Sequence, residues 1–327
     1  MGNFVTPKVV ISKCIEFDRC RYDGHMIAND FVKKLKLYVR FLPVCPEFEI
    51  GLGIPRNPVR LIDENGSLEM IQPATNRNLT AEMMAFAQSF LESLENVDGF
   101  ILKAGSPSCG IKNTKIYPRI GKVAPKSRNG RGLFGDAVSI AYPYLAIEDE
   151  GRLNNPRIKD HFLSQLFTLA RFRVVKQSGS INELVKFHSQ NKFLLMAYNQ
   201  AELKTLGKIT ANGDERSPSE LLKDYQSHLY KALSRAPKYT SNINALMHIL
   251  GYFSDKINKG EKSLFLDNLQ KYREGRVTIC PSKILLKSWI MRFEDEYLFQ
   301  QSFFEPYPSE LMEIDPIISH KGRDMWG

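Results

Sequence analysis

The hydrophobic periodicity changes near residue 150, and that change restricts the chain to a two-part architecture. Before it, short apolar runs rich in β-branched and aromatic residues, at 9–11, 37–42, 99–102 and 142–146, alternate with helical patterns. Strand–helix alternation at this spacing predicts an α/β domain with a parallel sheet flanked by helices. Thr80 reads as the N-cap of one of those helices, with Glu82 in its first turn. Met83, Phe86, Phe90 and Leu91 recur at helical spacing behind it. A polar, turn-rich segment, 149–156, then separates this half from one that is almost wholly helical. Ser180 with Glu183 and Ser217-Pro218 with Glu220 read as capping boxes. Further helices are expected over 242–257, 262–272 and 283–301. The expected division is therefore 1–153, an α/β domain, and 154–327, an all-α domain of bundle-like packing.

Composition excludes several classes. Of the 327 residues, 43% are hydrophobic and 25% charged, a globular balance. No apolar stretch reaches the roughly 18–20 residues that span a bilayer. The start, Met1-Gly2-Asn3-Phe4-Val5, lacks the basic and long apolar regions of a signal peptide. Five cysteines, an odd number with no C-x-x-C pair, argue against a disulfide framework and for a reducing, cytoplasmic location. The net charge of +9 is concentrated. Between Asp98 and Asp136 no acidic residue occurs, whereas Lys103, Lys112, Lys115, Arg119, Lys122, Lys126, Arg128 and Arg131 do. Glycines and Pro125 mark much of this stretch as loop. Such uncompensated charge is either a solvated surface or the footprint of a polyanion. Its place beside Cys109 favours the second, with the seven cations from Lys112 to Arg131 as candidate RNA contacts.

Three cysteines carry the chemistry. Cys14, Cys45 and Cys109 each follow an apolar run and lie in a tight polar loop, the last within Ser106-Pro107-Ser108-Cys109-Gly110. In open α/β sheets, ligands gather outside the carboxyl ends of the strands. Three thiolates converging there suit an iron–sulfur cluster, or a zinc ion with one open position. Ordinary buried cysteine is the plain alternative.

The sequence around these cysteines is specific. Cys14, then Cys20-Arg21-Tyr22-Asp23-Gly24, then Cys45-Pro46-Glu47 with Gly51-Leu52-Gly53-Ile54-Pro55-Arg56, then Ser106-Pro107-Ser108-Cys109-Gly110 resembles the thiouracil desulfidase family over roughly 6–153. Phe187-His188, 191–197, Asn244 with His248 and Gly251-Tyr252-Phe253, and Pro306-Tyr307-Pro308 resemble the YbgA-like helical domain. That domain is found fused behind a desulfidase domain in enzymes that act on 4-thiouridine in tRNA. The resemblance implies a 4Fe-4S cluster held by Cys14, Cys45 and Cys109, with one open iron to bind the sulfur of a thiolated pyrimidine. It also implies a hydrolytic reaction without net electron transfer, Glu47 and Ser106 as catalytic residues, and thiolated tRNA or a thiolated pyrimidine as partner. No membrane and no obligate protein partner is implied. A desulfidase of free bases such as 2-thiouracil, or a non-catalytic iron–sulfur RNA-binding protein, are the alternatives.

One departure stands out. The family places Leu-Leu-Gly after its first cysteine, and this chain has Ile15-Glu16-Phe17. Loss of the glycine is expected to reshape the loop, and Glu16 to add charge near the pocket. Cys20 reads as a buried neighbour and Cys280 as structural. Arg21 and Asp23 read equally as pocket residues or as a structural ion pair. In the helical half, Lys186, His188 and Lys192 are candidates for a basic edge facing RNA, while His248 reads as structural.

Overall fold

The computed structural model describes residues 4–64, 66–211 and 216–312. They divide into two compact units, one comprising the chain to Pro143, Ile147–Asp160 and the segment from Tyr307, the other Tyr144–Ala146 and His161–Pro306.

In the first unit, β1 (Lys8–Ser12), β2 (Arg40–Val44), β6 (Gly99–Leu102) and β9 (Ala146–Asp149) form a sheet of order β2-β1-β6-β9. β1 runs parallel to both neighbours, with Ser12 opposite Val44 and Ile11 opposite both Pro43 and Ile101. Val9, Val10, Ile11, Phe100, Ile101 and Leu102 are fully buried, as expected for central strands covered on both faces. Helices α1 (Asp30–Leu35), α2 (Pro46–Glu49), α3 (Thr80–Glu92) and α4 (Leu133–Ala141) belong to the same unit. Thr80 is not the cap of α3 but its first residue. Leu79 holds the cap position, and the Thr80 hydroxyl is spent on Asn78 and on the backbone N–H of Met70.

A second, five-stranded sheet has no counterpart in the expectations from sequence. β3 (Arg60–Glu64) and β4 (Ser67–Gln72) form an antiparallel pair, extended by β5 (Arg77–Asn78). On the other side β7 (Thr114–Tyr117) runs parallel to β3 and antiparallel to β8 (Ser127–Gly130). Much of the basic stretch is loop, as expected, but β7 and β8 form a short β-ribbon within it that the sequence reading did not include. Its polar composition hides strands that pair on one side of a sheet.

The second unit is helical. The 23-residue α5 (Pro156–Ser178) leads into α6 (Ile181–Gln190), α7 (Lys192–Tyr198) and α8 (Gln200–Ala211). Then follow α9 (Pro218–Leu233), α10 (Tyr239–Leu250), α11 (Lys259–Arg273), α12 (Cys280–Arg292) and α13 (Glu296–Phe299). The Ser217–Glu220 capping box is present, and Ser180 accepts the N–H of Glu183. One core gathers Phe172, Phe187, Leu206, Leu221, Tyr225 and Leu229, and another Phe193, Leu246, Phe253, Phe265 and Trp289. The protein is therefore α/β with a parallel sheet in its first part and all-α in the second. No helix among the described residues is long and apolar enough to cross a membrane.

Candidate active site

The register of the first sheet brings the cysteine loops together. Cys14 lies two residues beyond the end of β1, Cys45 directly follows β2, and Cys109 ends the loop after β6. All three, with Cys20, Glu47, Arg56, Ser106 and Ser108, line one cavity of about 300 Å³. It opens at the carboxyl ends of the strands, where α/β sheets place their ligands.

Each loop is pinned. Cys45 is the N-cap of α2, its carbonyl accepting the N–H groups of Phe48 and Glu49 at 3.0 Å. Ser12 takes the N–H of Lys103 at 2.9 Å and bonds to the Cys109 thiol, joining β1 to the third loop. The Lys103 ammonium is tied to Glu150 at 2.5 Å, and Glu150 also accepts the N–H of Ala104 at 2.8 Å. The Cys109 loop rests on the start of α4. Gly132 N–H donates to Gly110 O at 2.7 Å and Gly135 N–H to Ser108 O at 2.9 Å. A Cβ on Gly132 would stand 2.4 Å from Ser108 O, and one on Gly135 2.6 Å from Cys109 O. Only glycine permits that approach.

The thiols form a continuous group. Cys20 lies against the thiols of both Cys14 and Cys45, and that contact with Cys14, with burial, pushes its pKa up to about 11. The neighbouring Cys20 and then desolvation push Cys45 strongly upward. Burial raises Cys109 to about 12. Among the described residues no three His, Cys, Asp or Glu side chains are gathered tightly enough for a single metal ion. A polynuclear cluster, which spreads its thiolates more widely, fits this set of soft donors on separate loops.

Glu47 is buried, with 9% of its surface exposed. Its Oε2 takes Arg56 Nε at 2.8 Å and Nη2 at 2.7 Å, and its Oε1 takes the Ser108 hydroxyl at 2.6 Å. Ser106 Oγ stands 2.9 Å from Ser108 Oγ and accepts the N–H groups of Ser108 at 3.2 Å and Cys109 at 3.1 Å. Burial works against the Arg56 charge, but Glu47 outweighs it and raises the guanidinium pKa. Arg56 and Ser108 fall within the cysteine motifs, but sequence reasoning gave them no role. What could have singled them out is that a buried carboxylate needs a cation and a donor.

Other expectations resolve differently. Glu16 does not line the cavity; it has φ +65°, and its carboxylate accepts the backbone N–H of Asn29. Arg21 both lines the cavity and pairs with Asp23 at 3.3 Å. Cys280 is exposed rather than part of the core, and His248 is exposed too. His188 contributes no positive edge. Its ring lies 3.1 Å from the Tyr225 hydroxyl, and burial, helped by Lys192, lowers its pKa to about 4. Lys112, Lys115, Arg119, Lys122, Lys126, Arg128 and Arg131 are all exposed. Lys126 pairs with Asp63 and Arg131 with Asp136, each at 3.0 Å.

Residues 9–150 match the model of a family described as 2-thiouracil desulfurase, and residues 192–308 that of a protein of unknown function, DUF1722. The chain joins a 2-thiouracil desulfurase domain to a DUF1722 domain. Among relatives, the uncharacterized protein YbgA of Escherichia coli (strain K12) is 25% identical over 158 residues, covering 48% of this chain and 94% of that protein. The uncharacterized protein YbbK of Bacillus subtilis (strain 168) is 29% identical over 111 residues, covering 31% of this chain and 72% of that one. A solved structure of the 4Fe-4S-dependent thiouracil desulfidase TudS aligns with TM-score 0.37 and 26% identity, over 46% of this chain and 94% of its own. All the cavity residues named above fall inside the desulfurase match.

Proposed function

We propose that the protein removes sulfur from thiolated uracil by hydrolysis, and that its substrate is 4-thiouridine in tRNA, which it returns to uridine. The observation that carries this is the convergence of Cys14, Cys45, Cys109 and Glu47 on one cavity within the desulfurase domain. In this reading residues 1–153 are the iron–sulfur desulfidase domain and 154–327 the helical domain that binds the tRNA body. Cys14, Cys45 and Cys109 hold a 4Fe-4S cluster with one open iron, and the free thiols suit a reducing cytoplasm. Bound iron supplies a soft Lewis acid for the thiocarbonyl sulfur. Glu47 takes a proton from the water that adds to the ring carbon. Ser106 orders the loop that carries Ser108 and Cys109. The exposed cations of the β7–β8 ribbon and its flanks bind phosphates without sequence preference. A base drawn out of its stack at a cost of a few kcal/mol then reaches the cavity.

The test is direct. Protein purified without oxygen and reconstituted with iron and sulfide is incubated with 4-thiouridine-containing tRNA, and the thiobase absorbance is followed. Loss of that absorbance, abolished in Cys45→Ala, is the expected result. A cluster-loaded protein that acts only on free 2-thiouracil would remove the tRNA assignment, and one inactive on both would remove the enzymatic one.

A further inference from the structure

Both oxygens of Glu47 are engaged, but unequally, and the bonding fixes which one has an acceptor position left. A carboxylate oxygen offers two good acceptor positions. At Oε2 one is filled by Arg56 Nε at 2.8 Å, and Nη2, in ion-pair contact at 2.7 Å, crowds the other. At Oε1 one is filled by Ser108 and one is left.

The donors are fixed as well. Arg56, with only 4% of its side chain exposed, sends Nη1 to the carbonyls of Cys20 at 2.9 Å and Gly53 at 3.1 Å. Its Nη2 also approaches Cys45 Sγ at 3.9 Å. Four hydrogen bonds from the guanidinium, with the ion-pair contact to Oε2, tie Glu47 to the Cys20 and Cys45 loops. The Ser108 hydroxyl donates its one proton to Glu47 Oε1 at 2.6 Å, which leaves its oxygen free to accept. The Ser106 oxygen already accepts two backbone N–H groups, so its own proton points to Ser108. The chain of donors runs one way, from Ser106 to Ser108 to Glu47 Oε1.

We propose that Arg56 and Ser108 are the positioning residues of this site, holding Glu47 so that one lone pair of Oε1 alone is offered to water. The inference rests on the desulfidation reading. In the step they prepare, a water O–H bond breaks and its proton goes to Oε1. The water oxygen bonds to the thiocarbonyl carbon, and the C=S π pair moves onto sulfur. Ser108 is itself fully buried and keeps its proton throughout.

The experiment compares wild type, Ser108→Ala, Ser108→Thr and Arg56→Lys as full-length, reconstituted protein. Iron and sulfide per chain are measured with kcat and KM on 2-thiouracil and on 4-thiouridine-containing tRNA. In Ser108→Ala and Arg56→Lys, kcat falls about tenfold or more while KM stays within about twofold and iron content is unchanged. Ser108→Thr, which keeps the hydroxyl, recovers part of the loss. Wild-type kcat in Ser108→Ala, or a loss that only tracks missing iron, overturns the proposal. If the wild type desulfidates neither probe, the enzymatic reading fails. The clamp is then judged on thermal unfolding of Glu47→Gln, Ser108→Ala and the double variant. Strictly additive Tm shifts remove it, and non-additive ones keep it as a structural unit.

Discussion

The carboxylate of Glu16 accepts the backbone N–H of Asn29, and it does so from a backbone at φ +65°. Asn29 in turn caps α1 through Val32 N–H at 2.9 Å. A left-handed glutamate costs about 1 kcal/mol or more, and a hydrogen bond to a charged acceptor returns roughly 1.5–3 kcal/mol. Glu16→Ala keeps the strain and loses the bond, so it should destabilise by about 2 kcal/mol in urea unfolding. Glu16→Gly loses the same bond but relieves the backbone, and should cost less. Equal losses from the two would show that the backbone carries no strain.

Glu47→Gln should lower desulfidation by about 10²-fold or more while iron and sulfide content stay at the wild-type level. Turnover at the wild-type rate would assign proton transfer to another group.

Alanine at Cys14, Cys45 or Cys109 should each prevent retention of the full cluster after anaerobic reconstitution. Cys20→Ala should retain it. Iron analysis with the visible cluster absorbance decides between the three-ligand set and one that includes Cys20.

Replacing Lys115, Arg119, Lys122 and Arg128 with glutamine should weaken activity on thiolated tRNA and flatten its salt dependence. The log–log slope should fall by about one for each cation that pairs with a phosphate. Activity on 2-thiouracil should not change. A uniform loss on both substrates would instead point to damage in the second sheet.

His188 sets a pH window. Its pKa is about 4 in the folded protein, against an ordinary value of 6.5, because burial and then Lys192 oppose its charge. Between these values the unfolded chain binds more protons, so stability is full above about pH 6.5 and declines as pH falls toward 4. The loss is on the order of 2 kcal/mol once the ring's partial exposure is allowed for. In His188→Gln, stability measured from pH 7 to pH 4 should lose this component of the slope.

The two-part architecture was legible because its signals are local. The run 99–102 is fully buried in β6, and Ser217 with Glu220 forms the box that its spacing predicts. That Cys14, Cys45, Glu47, Ser106 and Cys109 meet at one cavity was legible through their motifs. The second sheet was not, since β7 and β8 are short and polar and owe their order to pairing, β7 with β3 and β8 with β7. Thr80 misled for a related reason: its hydroxyl is claimed by Asn78 and Met70, neighbours that no helical pattern reveals. Ser108 and Arg56 matter through bonds spanning 61 and 9 residues of chain, a relation fixed only by the fold.

The pairing of Ser12 with Val44 and of Ile11 with Ile101 also has a bearing on timing. β1 sits between β2 and β6, the strands that lead to the other two proposed ligands, so the proposed binding set is complete only when both have docked on it and residue 109 has emerged. A cluster that seats there cross-links three strands that are remote in sequence, and its binding energy adds to folding by mass action. Iron scarcity would then be felt first as a less durable protein, before it is felt as a slower one.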